Sequence, residues 1–284
     1  MIEYLPSPAK PVIKYAGGKT QLLPEILRRT PSYFRDYHEP FVGGGAVFFA
    51  LYRLGRLKGK QAYLGDTNPH VINLYRQLQT DAEAVVRLLQ SMVYERTFYE
   101  AQRKRRVADM SPVEHAAWFV YLNKTGYNGM WRVNKSGMFN VPFGRYTNPT
   151  ICDAQGLRDA GEALKCAIIK EQSYVDSLDS TRTGDFVFLD PPYLPTSKTA
   201  NFVGYTSAGF DKKEHELLAG MLIALKERGV LFVACNSEIA RDLYPPTHFT
   251  VSEILAARAV SCDPEKREKV VELMITSSNQ GEKR

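Results

Sequence analysis

Residues 36–66 constrain the fold more than any other part of this 284-residue chain. An apolar segment, 36–42, runs straight into three glycines, residues 46–54 have helical character, and a second short apolar segment, 62–65, ends at Asp66. The order strand, glycine turn, helix, strand is typical of a βαβ unit, whose two strands lie parallel in one sheet. We therefore predict an α/β fold with a parallel sheet.

The rest of the chain divides into segments with alternating helices and strands and a middle part, residues 70–150, whose pattern indicates helices and loops. Further helices are expected at 19–29 and 211–228, and further strands at 166–175, 185–189, 230–235 and 270–275. Within 70–150, periodic apolar residues first indicate helices, and a segment rich in Asn, Gly, Tyr and Pro, 123–149, then predicts loops and a hairpin. We interpret this middle part as an insertion into a single α/β domain.

Charge and cysteine content narrow the classes of protein. The net charge of +6 and the pI near 9.0 favour an acidic partner such as nucleic acid, although an ordinary soluble surface explains them equally well. The four cysteines (Cys152, Cys166, Cys235 and Cys262) lack CxxC spacing, which argues against a disulfide framework or a zinc site. With no signal-peptide core and no apolar run long enough to span a bilayer, we expect a cytoplasmic protein.

The strongest chemical signal is Asp190-Pro191-Pro192-Tyr193, directly after the buried strand FVFL. Ligands of open α/β sheets bind beyond the carboxyl ends of the strands. The prolines remove two N–H donors, and an Asp oxygen and a neighbouring carbonyl can then both accept hydrogen bonds from one amino group. Tyr193 offers a flat face for a base. These residues favour an amine nucleophile on a planar ring over a plain Pro-Pro turn that closes a strand.

A second signal is the glycine turn, which Phe41 and Val42 precede and which contains Gly43 and Gly45. Glycines allow a ligand to approach the backbone, and Asp66 follows about twenty residues later, where a carboxylate can bind a ribose hydroxyl. Phe48 occupies the third glycine position of the dinucleotide fingerprint, so the turn alone indicates a nucleotide site only weakly.

The third signal lies in the loop-rich segment. Tyr127, Asn128, Met130 and Arg132 are followed by FNVPFGRY, which includes Arg145. Arg can pair with guanine and Asn with adenine in the major groove. From these residues alone, a structural hairpin with polar loop residues is the favoured interpretation.

Taken in order, these motifs resemble the Dam-like family of DNA adenine methyltransferases, whose usual target is GATC. The resemblance runs nearly end to end, from Lys14 to Thr276. The matching motifs are KYAGGKTQLLP (14–24), EPFVGGGAVFF (39–49), DTN (66–68), YNGMWRVN (127–134), FNVPFGRY (139–146), GDFVFLDPPY (184–193), TANFVGYTSAGF (199–210) and CNS (235–237). Tyr15 stands where many relatives have Trp, and Met130 where Leu is common.

The resemblance implies a Rossmann-like S-adenosylmethionine-dependent methyltransferase fold with a helical and β-hairpin target-recognition insertion. Residues 1–69 and 151–284 would form a discontinuous catalytic domain, and residues 70–150 the insertion. S-adenosylmethionine would be the cofactor, S-adenosylhomocysteine the product, and no metal would be needed. The cofactor-binding residues would be Tyr15, Lys19, Phe41, Gly43, Gly45, Asp66 and Asp190.

The same resemblance implies roles in DNA binding and catalysis. Lys14 would contact the first guanine of GATC, Tyr127, Asn128, Met130 and Arg132 would lie at or near the base pairs, and Arg145 would contact a phosphate. Adenine would be flipped out of the duplex and stacked on Tyr193. Asp190 and the carbonyl of Pro191, next to Pro192, would accept hydrogen bonds from its amino group. We expect a monomer that acts on double-stranded DNA, independently of membranes. Two alternatives stay open for its setting: an enzyme that stands alone, and one that is partnered in function, without necessary contact, by a cognate restriction endonuclease.

Two alternatives stay open at this point. The same catalytic tetrapeptide could serve an amino-methyltransferase with another acceptor, cytosine N4 or an RNA adenine. A DNA-binding regulator on an inactive methyltransferase scaffold is the other alternative, although Asp66, Asp190 and Tyr193 are intact.

Overall fold

A computed structural model describes residues 9–15, 17–134, 137–194, 210–257 and 269–277. They fall into two compact units. The first lies within Met1–Gly18, Gly43–Lys58 and Asp66–Glu171, and the second within Lys19–Val42, Gly59–Gly65 and Gln172–Arg284. The motif at 199–210 lies outside the described residues, except for Phe210.

The second unit is built around a largely parallel sheet. Its strands are β1 (Tyr37–Glu39), β2 (Ala62–Asp66), β4 (Phe186–Leu189), β5 (Leu231–Ser237), β6 (Thr250–Ala257) and β7 (Lys269–Thr276). The last residue of β2, Asp66, belongs to the first unit. Their order is β2-β1-β4-β5-β7-β6. The first four strands are parallel, whereas β7 runs antiparallel to both β5 and β6. The prediction of an α/β fold with a parallel sheet is confirmed.

This strand order defines where a ligand can bind. Strand β2 lies on one side of β1 and β4 on the other, so the order of strands reverses between β1 and β4. In doubly wound sheets, ligands bind beyond the carboxyl ends of the strands at such a switch point. The residues that follow β1 and β4 in the chain, including Phe41 and Asp190, are therefore placed at this edge.

The helices of the second unit are α1 (Leu23–Arg29), α7 (Tyr174–Asp179) and α8 (Lys212–Glu227), with a 3-10 segment at Glu238–Leu243. Helix α8 begins where the Asp211 side chain accepts a hydrogen bond from Glu214 N. Its apolar face packs on β4 and β5 in a core that includes Leu218, Leu222, Leu225, Val187, Leu189 and Phe232. This packing holds the carboxyl end of β4 in place.

The first unit is mainly helical. It contains α2 (Ala46–Arg53), α3 (Pro69–Gln90), α4 (Arg96–Arg103), α5 (Pro112–Thr125), α6 (Ala154–Leu164) and strand β3 (Ala167–Glu171), with 3-10 turns at Val107–Asp109 and Tyr127–Gly129. Helix α5 begins with a capping box between Ser111 and Glu114. The adjacent aromatic pairs Phe48-Phe49 and Trp118-Phe119 are buried. The boundary of a functional insertion at 70–150 stays a prediction.

Several expected elements have different bounds in the structure, each for a local reason. Strand β1 ends at Glu39 because Pro40 has no N–H to donate to the ladder, and regular bonding resumes only where Val42 N donates to Gly65 O at 2.9 Å. The strand expected at 166–175 ends at Glu171, since Ser173 caps α7. The hairpin expected within 123–149 is represented by isolated antiparallel bridges, Gly126 to Phe143 and Val133 to Phe139.

None of the helices among the described residues combines the length and the apolar composition that a bilayer crossing needs.

Candidate functional site

In the second unit, β4 delivers Asp190 to the carboxyl edge of the sheet. All four residues of the strand are buried, and Asp190 follows its last residue directly. Asp190 Oδ1 lies 2.7 Å from Lys19 Nζ, and the side chain of Lys19 is only 6% exposed. The resemblance assigns Lys19 to the cofactor, and the structure pairs it with the carboxylate of the catalytic tetrapeptide.

Burial and charge act against each other in this ion pair. Burial raises the pKa of Asp190, whereas the neighbouring Lys19 ammonium lowers it. Burial also disfavours the charged form of Lys19, but Asp190, Cys235 and Glu272 together outweigh this effect, and the pKa of Lys19 is raised. Each group therefore favours the charged form of the other in a place where an isolated charge would be unfavourable.

Tyr193 belongs to the same cluster. Lys19 Nζ lies 4.8 Å from the centroid of its ring, and the Tyr193 hydroxyl donates a 2.7 Å hydrogen bond to Glu272 Oε2 on β7. Burial, followed by the nearby Asp190, raises the pKa of Tyr193 well above its usual range, so the phenol stays neutral and able to donate. The sequence interpretation missed Glu272. The available signal was a carboxylate within the apolar run of β7, since charged groups rarely interrupt a buried strand without a partner.

An aromatic group follows the end of β1. The ring of Phe41 stacks on Tyr174 at a centroid distance of 5.4 Å and meets the edge of Phe210 at 5.7 Å. Phe210 also meets His215 edge-on. The geometry provides an apolar, flat-sided lining beside the switch point of the sheet, where a planar ring can pack.

In the first unit, the glycine turn is shaped by contact with Tyr15. Gly43 has φ +44°, and a Cβ there would lie 2.7 Å from a ring atom of Tyr15. Gly43 O accepts a 2.8 Å hydrogen bond from the Tyr75 hydroxyl, which fixes the turn. Gly45, at φ +67°, precedes α2 in the left-handed region. Glycine is required at Gly43 both by the backbone conformation and by the lack of space.

Asp66, the last residue of β2, lies against this turn. Its carboxylate accepts hydrogen bonds from Gly43 N at 2.9 Å and from Asn68 N at 2.8 Å. Burial raises the pKa of Asp66 to about 6, while these backbone donors lower it. A carboxylate has about four acceptor positions, and with Thr67 as a third backbone donor one position remains for another donor. The turn, the Tyr15 ring and this half-buried acceptor suit a nucleoside-bearing cofactor, whose ribose hydroxyls can donate to the carboxylate.

Some of the predicted DNA-contacting residues of the first unit lie close together in the structure. Asn123 is buried and binds the backbone of Lys14 on both sides, accepting from Lys14 N at 2.8 Å and donating to Lys14 O at 2.7 Å. It also donates to Gly129 O at 3.0 Å. The structure therefore places Lys14 beside the turn that carries Tyr127, Asn128 and Met130, although 109 positions separate it from Asn123.

Buried aromatic residues anchor the loop that presents Arg132. Trp131 packs against Phe119 at 4.7 Å and Phe139 at 4.8 Å. Arg132 next to it is exposed and donates from Nε to Asn140 Oδ1 at 2.7 Å. The guanidinium of Arg132 is thus restrained and still exposed. Its N–H groups can donate a pair of parallel hydrogen bonds to a planar acceptor.

Arg145 and Tyr127 line one open cavity of about 510 Å³, together with Arg96, Glu100, Pro142 and Phe143. The guanidinium of Arg96 lies 5.8 Å from the centroid of the Phe143 ring. Two guanidinium groups at one cavity favour an anionic ligand. No group of His, Cys, Asp and Glu that could hold a metal ion is present among the described residues.

Comparison with known proteins identifies the family that this chain resembles. Residues 15–259 match the family described as D12 class N6 adenine-specific DNA methyltransferase. The chain is 35% identical to the type II methyltransferase M1.LlaDCHI of Lactococcus lactis subsp. cremoris over 94% of this chain and 95% of that one. It is 34% identical to the type II methyltransferase M.MjaIII of Methanocaldococcus jannaschii, over 94% and 98%. It is 32% identical to the DNA adenine methylase of Escherichia coli K12, over 92% and 93%.

Proposed function

The chain belongs to the D12 class of N6 adenine-specific DNA methyltransferases, and from this premise we propose that it methylates adenine N6 within GATC in duplex DNA after flipping the base. The chain is therefore an enzyme with DNA as its substrate, and its family uses S-adenosylmethionine. One observation carries the residue assignment. Asp190-Pro191-Pro192-Tyr193 follows a central parallel strand at the switch point, with the Asp190 carboxylate held 2.7 Å from Lys19.

The proposed reaction is a direct transfer. S-adenosylmethionine would supply a methyl group bonded to a positively charged sulfur. Asp190 and the Pro191 carbonyl accept hydrogen bonds from the adenine amino group and orient the nitrogen lone pair. Positive charge develops on that nitrogen during attack, so the stabilisation by the Asp190 carboxylate grows towards the transition state. The nitrogen–methyl bond would form as the sulfur–methyl bond breaks, which leaves S-adenosylhomocysteine, and the methylated nitrogen would then release one proton to solvent. Pro192 restricts the backbone, and Tyr193 stacks on the extruded base.

We assign cofactor roles within each unit separately. In the first unit, Tyr15, Gly43 and Gly45 would shape the binding turn, and Asp66 would accept hydrogen bonds from the ribose. In the second unit, Phe41 would provide an apolar contact, and Lys19 would act through its ion pair with Asp190.

The DNA-contacting roles rest on the first unit. Lys14 and Arg132 would read guanines, and Tyr127, Asn128 and Met130 would lie at the base pairs. Arg145 would bind a phosphate, which its place at the cavity with Arg96 supports, because phosphate contacts by arginine position a protein on DNA. A DNA substrate would place the protein with the chromosome or with phage DNA in the cytoplasm.

Mapping the methylated bases tests this proposal. Unmethylated plasmid is incubated with the purified protein and S-adenosylmethionine, and single-molecule sequencing then reads modified base and motif together. We expect N6-methyladenine confined to GATC. Methylation of cytosine N4 or of another sequence would contradict the proposed target, and RNA of the same sequence serves as the competing acceptor.

Two names among the relatives support a functional partner. Both the Lactococcus and the Methanocaldococcus proteins are type II methyltransferases. We propose that methylation by this enzyme protects DNA against a cognate restriction endonuclease. This role requires no contact between the two proteins. The prediction of a monomer stays a prediction.

Asp66 predicts a pH dependence of cofactor binding. Its folded-state pKa is raised to about 6, so the carboxylate is ionised at pH 7.5 and protonated as the pH falls through 6. If the cofactor binds the ionised form, its affinity should fall about tenfold between pH 7.5 and pH 5. Calorimetric titration with S-adenosylmethionine measures this fall. Asp66→Asn should bind weakly at both pH values, and an equally steep fall in that variant would assign the titration to another group.

A further inference from the structure

Glu272 is a carboxylate within the apolar run 270–275 of strand β7. The three residues after it on β7, Leu273, Met274 and Ile275, are fully buried. Strand β7 is paired on both sides, so the backbone of Glu272 lies opposite Ser237 of β5 and Ile254 of β6. The backbone of a residue paired with two neighbouring strands has little freedom to move, so Glu272 offers its acceptor from a fixed position in the sheet.

Tyr193 depends on that acceptor. It stands after two prolines, beyond the end of β4, where no strand pairing holds it. Its hydroxyl donates to Glu272 Oε2 at 2.7 Å, across 79 positions of the chain. A hydrogen bond at the far end of a phenol ring restricts both side-chain torsions. A ring restricted in this way presents its face in one orientation, which lowers the entropic cost of stacking a base on it.

We propose that Glu272 is a positioning residue of the transfer reaction, which holds the Tyr193 ring in the orientation needed to stack the flipped adenine beside Asp190. This inference rests on the proposed function, because it presupposes an extruded base on Tyr193. Glu272 acts through the tyrosine and does not itself contact the substrate.

The surroundings of the bond support a role beyond joining a loop to a strand. The same Tyr193 ring lies 4.8 Å from Lys19 Nζ, which in turn lies 2.7 Å from Asp190 Oδ1. The anchored ring therefore belongs to one connected cluster with the carboxylate that is to accept the amino group. A tilt of the ring would change the distance between a stacked base and Asp190.

The test is a double-mutant cycle between Glu272 and Tyr193 in the full-length protein. Glu272→Ala should lower kcat about tenfold, with the Kd for S-adenosylmethionine and the KM for DNA changed less than about twofold. Tyr193→Phe removes the same bond from the other side and should cause a similar loss. The double variant should be no worse than either single one, because one bond is lost in all three. If the loss of kcat in the double variant equalled the product of the two single losses, the two residues would act independently, and the proposal would be overturned.

Two further variants separate positioning from charge and from general stability. Glu272→Gln keeps an acceptor oxygen and should retain kcat within about threefold of wild type. A loss as large as that of the alanine variant would overturn the hydrogen-bond role. Glu253→Ala is the matched control, an exposed glutamate on the neighbouring strand β6 that pairs with Arg241, and should leave kcat unchanged. A comparable loss in this control would show that any lost carboxylate on the sheet is damaging, and would equally overturn the proposal.

The outcomes for Glu272 and for the proposed function are distinguishable. If the wild-type protein methylates no adenine, the proposed function fails before any variant is compared. If the wild type is active and the Glu272→Ala variant keeps full kcat, only the positioning role fails. Should Glu272→Ala not fold in a melting experiment, Tyr193→Phe and Glu272→Gln carry the test, since each changes a single polar group.

Discussion

Replacing Asp190 with alanine is expected to lower the rate of methyl transfer by at least about 10²–10³-fold, to a level near background. The carboxylate is the group proposed to oppose positive charge on the attacking nitrogen, and its side chain is only 19% exposed, so solvent can substitute for it only in part. Initial rates of transfer of a radiolabelled methyl group from S-adenosylmethionine to a GATC duplex measure the loss. Turnover close to that of the wild type would exclude Asp190 from catalysis.

The Asp190 variant requires a control for folding. Removing the carboxylate breaks the 2.7 Å ion pair of the buried Lys19, which can cost up to about 3–5 kcal/mol of stability. Asp190→Asn preserves the shape and one acceptor oxygen but removes the charge. It should melt closer to the wild type and still be strongly impaired in transfer. A fully active Asp190→Asn would show that acceptance of a hydrogen bond, and not charge, is what the residue contributes.

Replacing Arg132 with alanine is expected to cost about 1–3 kcal/mol of discrimination between the cognate base and a substitute. Arg132 is exposed, and its guanidinium is held by Asn140 at 2.7 Å on a loop that Trp131 anchors. The ratio of kcat/KM on a GATC duplex to that on duplexes with one altered base pair measures the effect. The loss should appear at one base pair, while the other positions keep their discrimination.

Arg145→Ala is the matched comparison for Arg132. It also removes a guanidinium from the first unit, but from the cavity that Arg96 and Tyr127 line. If Arg145 binds a phosphate, its loss weakens binding equally on cognate and altered duplexes and lowers the salt slope by about one. A uniform loss for Arg132 as well would assign that residue to the DNA backbone instead of a base.

The framework of the fold could be predicted from local sequence patterns. The prediction was wrong mainly at the bounds of elements, where a single residue such as a proline or a cap decides where a helix or strand begins or ends. The parallel α/β sheet followed from apolar segments separated by a glycine turn and a helix. Strand β1 is shorter than expected because of Pro40, and α6 was missed although Asp153 caps it, with its side chain accepting from Gly156 N. Strand β6 was also missed. Caps and prolines are local signals, so the amino-acid sequence carries the information for these bounds.

The candidate site could be predicted only in part. Asp190, Tyr193, Gly43 and Asp66 stand at ends of strands or in turns that the pattern locates. The pairing of Lys19 with Asp190 could not be predicted, since the two residues are 171 positions apart in the chain and no periodic pattern connects them. The resemblance alone directed Lys19 towards the cofactor.

By itself, the amino-acid sequence determined the parallel α/β framework and the position of Asp190-Pro191-Pro192-Tyr193 after a buried strand, because hydrophobic periodicity and backbone restrictions act over a few neighbouring residues. Only the tertiary structure decided that Glu272 holds the Tyr193 hydroxyl and that Asn123 holds the backbone of Lys14. Contacts of this kind depend on how distant segments pack in three dimensions, and a polar side chain has no local signature of the partner that burial will give it.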